Sequence, residues 1–279
     1  MNVTKKELEG KVAVVTGGAG VLGSALAEAL LEQGARVVIL GRTLSKLETQ
    51  VDIWKKKGFE HVRGFSADVM DKVALTKVQD AIHKEWGKVD ILLNAAGGNH
   101  PKATTKVEEL ALDTPAEDGF FGLDIDAFRQ VFDLNFMGTL IPSLVFGQDM
   151  VAEGGSIINI SSMAAQFPMT KVGGYAAAKA AVDNFTRWLS VHLAKRNIRV
   201  NAIAPGFFVS DQNRFLLYQE DGKTLTPRGN KILTHTPMGV FGEPENLKAA
   251  AVYLAGSGSS FVTGIVLPVD GGFSAYAGV

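Results

Sequence analysis

Thr16-Gly17-Gly18-Ala19-Gly20-Val21-Leu22-Gly23 stands between a short β-branched run, Lys11 to Thr16, and a segment of helical periodicity, Leu22 to Gln33, stopped by Gly34. The run reads as a buried parallel strand and the periodic segment as a helix. Glycines between them permit a tight turn and close approach of backbone to a ligand. The helix N-terminus beyond offers unpaired N–H groups to an anion. Gly18-x-Gly20-x-x-Gly23 has the spacing that cradles a pyrophosphate when it follows the first strand of a strand–helix–strand unit. The plain alternative for this loop is a flexible turn that holds no ligand.

Outward from this loop the same alternation repeats. Strands are expected at 36–40, 61–66, 89–93, 156–160, 198–204 and 262–269. Helices are expected at 44–57, 71–86, about 124–150, 174–196 and 244–255. Strands alternating with helices of such length predict an α/β protein: a three-layer, doubly wound parallel sheet of about seven strands, Rossmann-like. With no repeat or linker-like break, residues 1–279 read as a single dinucleotide-binding domain. Two long connections, about 95–123 and 206–236, follow strands. They fall on the carboxyl edge of the sheet, where ligands of such folds bind.

The 279 residues include 28 basic and 29 acidic side chains, a net charge of −1, which argues against nucleic acid as the partner. There is no cysteine, so disulfides and thiolate chemistry are excluded, and no metal site is expected. Met1 to Gly10 has no apolar segment of signal-peptide type, and no apolar run reaches membrane-spanning length, so a cytoplasmic protein without membrane contact is expected.

Tyr175 and Lys179, four apart in an Ala-rich run, share one helix face. An ammonium beside a phenol favours the phenolate and lowers a pKa that is ordinarily near 10, giving an acid/base for an alcohol oxygen. Ser162 precedes the tyrosine by thirteen residues, at the end of Ile157-Ile158-Asn159-Ile160-Ser161-Ser162, and Asn135 lies in Leu134-Asn135-Phe136-Met137-Gly138-Thr139. Taken singly, Asn135 could cap a helix and Ser162 a turn.

Together these features resemble the short-chain dehydrogenase/reductase family, from about residue 10 to 273. The family's Thr-Gly-x3-Gly-x-Gly pattern maps to Thr16, Gly17, position 21 and Gly23. This chain departs from it with Val21 and an added Gly20, so Gly18 and Gly20 are expected to supply the loop's freedom while Leu22 and Gly23 open the helix. The resemblance implies hydride transfer between NAD or NADP and a carbonyl carbon. Ser162 would bind the carbonyl oxygen, Tyr175 move the proton, Lys179 bind the nicotinamide ribose, and Asn135 hold a relay water. Asn94-Ala95-Ala96-Gly97 resembles the family's turn near the middle of the cofactor. Asp68, with Val69, resembles its adenine contact, although a helix N-cap is an equal reading of Asp68. Pro205-Gly206, Phe208 and Ser210 would face the carboxamide. Val269-Asp270-Gly271-Gly272 resembles a closing motif at subunit interfaces, which implies a homotetramer.

After the second strand, Gly41 occupies the place of the acid that binds a ribose hydroxyl, and Arg42 could meet a 2′-phosphate. That gives a mild preference for NADP, unless Arg42 is a solvated cation. Asn99, His100, Arg214 and Arg228 in the long connections suggest a polar, anionic carbonyl substrate, since arginine grips a carboxylate as a fork, and Asn99, His100 and Arg214, with Ser162, are the residues expected to contact it. Each also has a plain reading, His100 as a loop cap and the arginines as surface cations.

The stretches GGNHP (97–101), LNFMGT (134–139), APGFF (204–208), QNRFLL (212–217), TPRGNKIL (226–233) and HTPMG (235–239) resemble the sugar-acid subgroup, above all D-mannonate oxidoreductases (fructuronate reductases). Gluconate 5-dehydrogenases and 3-oxoacyl or dienoyl thioester reductases share most of these motifs. A dinucleotide-sensing binding module without chemistry is the alternative of another class.

Overall fold

The computed structural model describes residues 6–209 and 214–278. In chain order the elements are β1 (Val12–Thr16), α1 (Val21–Glu32), β2 (Arg36–Gly41), α2 (Leu44–Lys56), β3 (Val62–Ser66), α3 (Lys72–Glu85), β4 (Ile91–Asn94), α4 (Ile125–Phe146), β5 (Gly155–Ile160), α5 (Gly173–Leu193), β6 (Ile198–Pro205), α6 (Arg214–Leu217), α7 (Pro227–Thr234), α8 (Lys248–Ala255) and β7 (Val266–Val269). All seven strands join one parallel sheet in the order β3-β2-β1-β4-β5-β6-β7.

The strands alternate between two cores, as a pleat of period two requires. Ala13 and Val15 of β1 pack with Leu26 and Leu30 of α1, Leu47 and Trp54 of α2 and Leu254 of α8. Val12 and Val14 pack on the opposite face with Leu75 and Ile82 of α3, Phe146 of α4 and Leu189 of α5. This is the expected three-layer sandwich with seven strands. The chain winds outward from β1 through β3, then returns to pair β4 with β1 in the register Thr16↔Asn94. The winding therefore reverses between β1 and β4, and the crevice beyond their carboxyl ends is the natural ligand site.

Differences from expectation fall at element ends. β7 begins at Val266, four residues late, because residues 257–264 form a 3-10 turn and a bend at Gly264, with φ +81°. The expected helix at 244–255 opens as a 3-10 turn, Pro244–Leu247, before α8. The second long connection carries α6 and α7. The first carries three 3-10 turns, at Pro101–Ala103, Ala116–Asp118 and Phe120–Gly122.

Candidate active site

A cleft of about 680 Å³ opens along the carboxyl edge of the sheet, from β2 to the second long connection. At one end stands the glycine loop. Gly20 is the residue before α1 and supplies no side-chain cap, so the first N–H groups of the helix are left for a ligand. The freedom expected of Gly18 and Gly20 belongs to Gly17, which alone of the three has a left-handed backbone, φ +65°. Gly20 is extended, at φ −81°. Gly23 is needed for closeness: a Cβ there would stand 2.2 Å from the carbonyl oxygen of Gly17. Val21 begins α1 on the cleft wall with 40% of its surface exposed, so it fits the fold without crowding the core. Thr16 fastens this loop to its neighbour: its hydroxyl accepts from the N–H groups of Ala95 (3.0 Å) and Ala96 (3.1 Å). A backbone cradle with an open helix N-terminus fits the pyrophosphate of a dinucleotide.

Ser162, Tyr175, Lys179 and Asn135 all line the same cleft. Ser161 does not compete with Ser162, since its hydroxyl bonds to the carboxylate of Asp183 while Ser162 faces the phenol. Lys179 is 4% exposed and donates 2.7 Å to the Ile160 carbonyl, with its Nζ 5.6 Å from the centroid of the Tyr175 ring. Burial pushes its pKa down to about 8, against the charge of Asp183. The expectation of a tyrosine brought down toward neutrality is corrected. Burial pushes the Tyr175 phenol up, opposed by a hydrogen bond with Ser162. Taking the phenolate's charge away from water costs more than the ammonium, already bound to a carbonyl, returns.

Asn135, fully buried in α4, donates to the carbonyls of Gly98 and Val131 at 2.7 Å each and accepts from the Gly98 N–H at 3.3 Å. It thereby ties α4 to the loop after β4. Gly97 is needed there, because a Cβ would lie 2.6 Å from the Asn135 Oδ1 and 3.4 Å from the Lys179 Nζ. Ala95 and Gly97 line the cleft, as do Leu22, Pro205, Gly206 and Phe208.

Several expected contacts lie elsewhere. Asn94 shares its strand face with Leu92 and points between the helices, donating to Ser143 (3.1 Å) and Asn159 (2.9 Å) rather than into the cleft. Asp68 and Val69 are outside the cleft lining. The Asp68 carboxylate accepts from the N–H of Met70 at 2.9 Å, and the N-cap of α3 is Asp71. His100 is a loop cap, its Nδ1 accepting from the N–H of Lys102 at 3.2 Å, and it lines no part of the cleft. Arg214 also stays out of the lining, its guanidinium 5.7 Å from the ring of Tyr218. Ser210 is outside the described residues. Asn99 and Arg42 line the cleft, and Arg42 has no ion-pair partner among the described residues. Gly41 beside it would accept a side chain, since the nearest atom to a Cβ is a Leu47 methyl at 3.5 Å.

Three participants were missed from the sequence: Asp183, Thr16 as a fastener, and Lys46 on the cleft wall beside Arg42. Asp183 lies four residues beyond Lys179 on the same helix face, which is a readable signal.

A family model described as enoyl-(acyl carrier protein) reductase matches residues 17–274. The uncharacterized oxidoreductase UxuB of Bacillus subtilis (strain 168) is 48% identical over 276 residues, 98% of each chain. A Haemophilus influenza structure with bound NAD, described provisionally as a D-mannonate oxidoreductase, superposes with a TM-score of 0.94 at 44% identity, covering 98% of both chains. A gluconate 5-dehydrogenase from Burkholderia cenocepacia J2315, in complex with NADP and tartrate, gives 0.83 at 28% identity, again over 98% of both.

Proposed function

The chain belongs to the short-chain dehydrogenase/reductase family, NAD(P)-dependent oxidoreductases acting on CH–OH groups, and on that premise we propose that it interconverts the ketone of a sugar acid and its secondary alcohol, D-fructuronate and D-mannonate. The observation that carries this reading is the meeting of Ser162, Tyr175, Lys179 and Asn135 in one cleft with the glycine loop. When bound, the nicotinamide supplies or accepts the hydride at the carbonyl carbon.

The chain's own residues do the rest. The N–H groups at the start of α1, with Gly17 and Gly23 letting backbone approach, hold the pyrophosphate. Ser162 donates a hydrogen bond to the carbonyl oxygen and orients it. Tyr175, a phenol ordinarily near 10 and pushed further up by burial, carries its proton at neutral pH and delivers it to that oxygen as charge develops there, which suits reduction. Lys179, with its Nζ 5.6 Å from the centroid of the phenol ring, supplies the positive charge that stabilises the phenolate left behind and would hold the nicotinamide ribose of a bound cofactor. Asn135 holds Gly98 and so the part of the cleft wall that the loop after β4 supplies.

For the cofactor we propose use of both NAD and NADP, with Arg42 and Lys46 favouring the 2′-phosphate of NADP. For assembly we propose a homotetramer, supported by apolar side chains left on the outer faces of α4 and α5: Leu144 at 50%, Trp188 at 57% and Val191 at 78% exposure. A gluconate 5-dehydrogenase activity is the second reading, favoured by the likeness to such an enzyme over the whole chain.

Steady-state assays with D-fructuronate, D-tagaturonate and 5-ketogluconate decide the matter. Highest kcat/KM with fructuronate supports the proposal, 5-ketogluconate above it supports the second reading, and turnover of acyl thioesters alone defeats both.

A further inference from the structure

Four cationic residues line the cleft: Arg42, Lys46, Lys179 and Arg228. Arg42 and Lys46 follow β2, on one side of the β1–β4 pair, and Lys179 is buried at the centre. Arg228 alone comes from the other side, on α7, which follows β6. Around it the wall is apolar, with Met169, Val172, Leu217 and Ile232.

The guanidinium of Arg228 has three acceptors on two residues, with its side chain 20% exposed. It donates to the Thr170 hydroxyl at 3.1 Å, to the Thr170 carbonyl at 3.4 Å and to a Glu108 oxygen at 3.2 Å. The other Glu108 oxygen accepts from Lys231 at 2.8 Å. Glu108 thus keeps its shorter ion pair if Arg228 turns away from it. Lys231 first, then Arg228 and Lys171, hold the Glu108 carboxyl below its ordinary value. Three cations thus lie around this carboxylate, and of them Arg228 lines the cleft. The turn Arg228 grips is itself unusual: Lys171 has φ +74°, left-handed for a residue with a side chain, and its carbonyl accepts from Thr105 in the first long connection. Thr170 and Lys171 lead directly into α5 and so into Tyr175.

We propose that Arg228 reads the carboxylate of the substrate and that Glu108 is its resting partner, released to Lys231 when the acid binds. The inference rests on the reading of the site as a sugar-acid oxidoreductase and deepens it. A planar fork already used on one carboxylate suits a second, and its anchorage beside α5 couples carboxylate recognition to the position of the phenol. A neutral ketose gains nothing from this contact.

The test compares D-fructuronate with D-fructose, which carries a hydroxymethyl group in place of the carboxylate, for the wild type, Arg228→Gln, Arg228→Lys and Glu108→Gln. Arg228→Gln should lower kcat/KM for the acid by about 100-fold, the scale for losing one partner of a hydrogen-bonded charge pair, and change that for fructose less than about threefold. Arg228→Lys should recover part of the loss. Glu108→Gln should leave the acid's KM equal or lower. Equal losses on both substrates, or a Glu108→Gln variant that loses the acid as Arg228→Gln does, make Arg228 a structural strap and overturn the inference. If the wild type prefers a carboxylate-bearing ketone that is not a sugar acid over its neutral counterpart, the sugar-acid reading falls, and Arg228→Gln erasing that preference still upholds the inference. A wild type with no preference for carboxylates in any such pair overturns it.

Discussion

At the glycine-loop end of the cleft, backbone lies against backbone; at the other end, long charged side chains meet one another. A Cβ at Gly23 would sit 2.2 Å from the Gly17 carbonyl, and Thr16 stitches that loop to Ala95 and Ala96. Across the cleft, Arg228, Lys231 and Glu108 join connections separated by 120 residues of chain. The rigid end suits a ligand part common to a whole family, the pyrophosphate. The ionic end can be rebuilt residue by residue without disturbing the sheet, which is how one fold serves many substrates.

Substitutions should therefore be felt unequally. Gly23→Ala, at the rigid end, should weaken cofactor binding by about 100-fold or more in a fluorescence titration, because backbone must move to admit the methyl. Near-normal affinity would mean that the loop is softer than its packing implies. Next in size is the pH response. Lys179 titrates at about 8 in the ligand-free protein, depressed by burial, and only its charged form supports Tyr175. As pH rises through about 8 the charge is lost, so kcat/KM for ketone reduction, which reports the free enzyme, should fall about tenfold per unit beyond that point. A flat profile to pH 10 would remove Lys179 from that role. Gly41→Asp tests whether the rigid end ends at β2, where a side chain has room. NAD should gain over NADP by roughly tenfold in kcat/KM, the acid pairing with a ribose hydroxyl and repelling a phosphate. His100→Ala should be the mildest, under about threefold in kcat/KM with a stability cost near 1 kcal/mol by thermal melting, the usual worth of a cap. A large KM effect there would return His100 to the substrate.

The same division explains what could be read from the chain before its structure. The glycine loop, the seven strands and the spacing of Ser162, Tyr175 and Lys179 are local patterns, and local patterns survive in sequence. Asn94 was misplaced although the information was present: it shares parity with Leu92, and a pleat sends both toward α4. Asp183 was equally readable from its place on the Lys179 face. The choice between Arg214 and Arg228 was not, because it turns on Glu108 and Thr170, brought together only by the fold of two long connections. The direction of the Tyr175 shift was also hidden, since burial rather than sequence proximity sets it.

The most direct measurement is turnover of D-fructuronate by Tyr175→Phe, with cofactor affinity measured on the same preparation. Removing the phenol's proton while keeping its ring should lower kcat by about 1000-fold, within the usual range for general acid catalysis, and leave the cofactor Kd within about threefold. Residual kcat above a tenth of the wild-type value would contradict Tyr175 as the proton donor, and with it the chemistry assigned to this cleft.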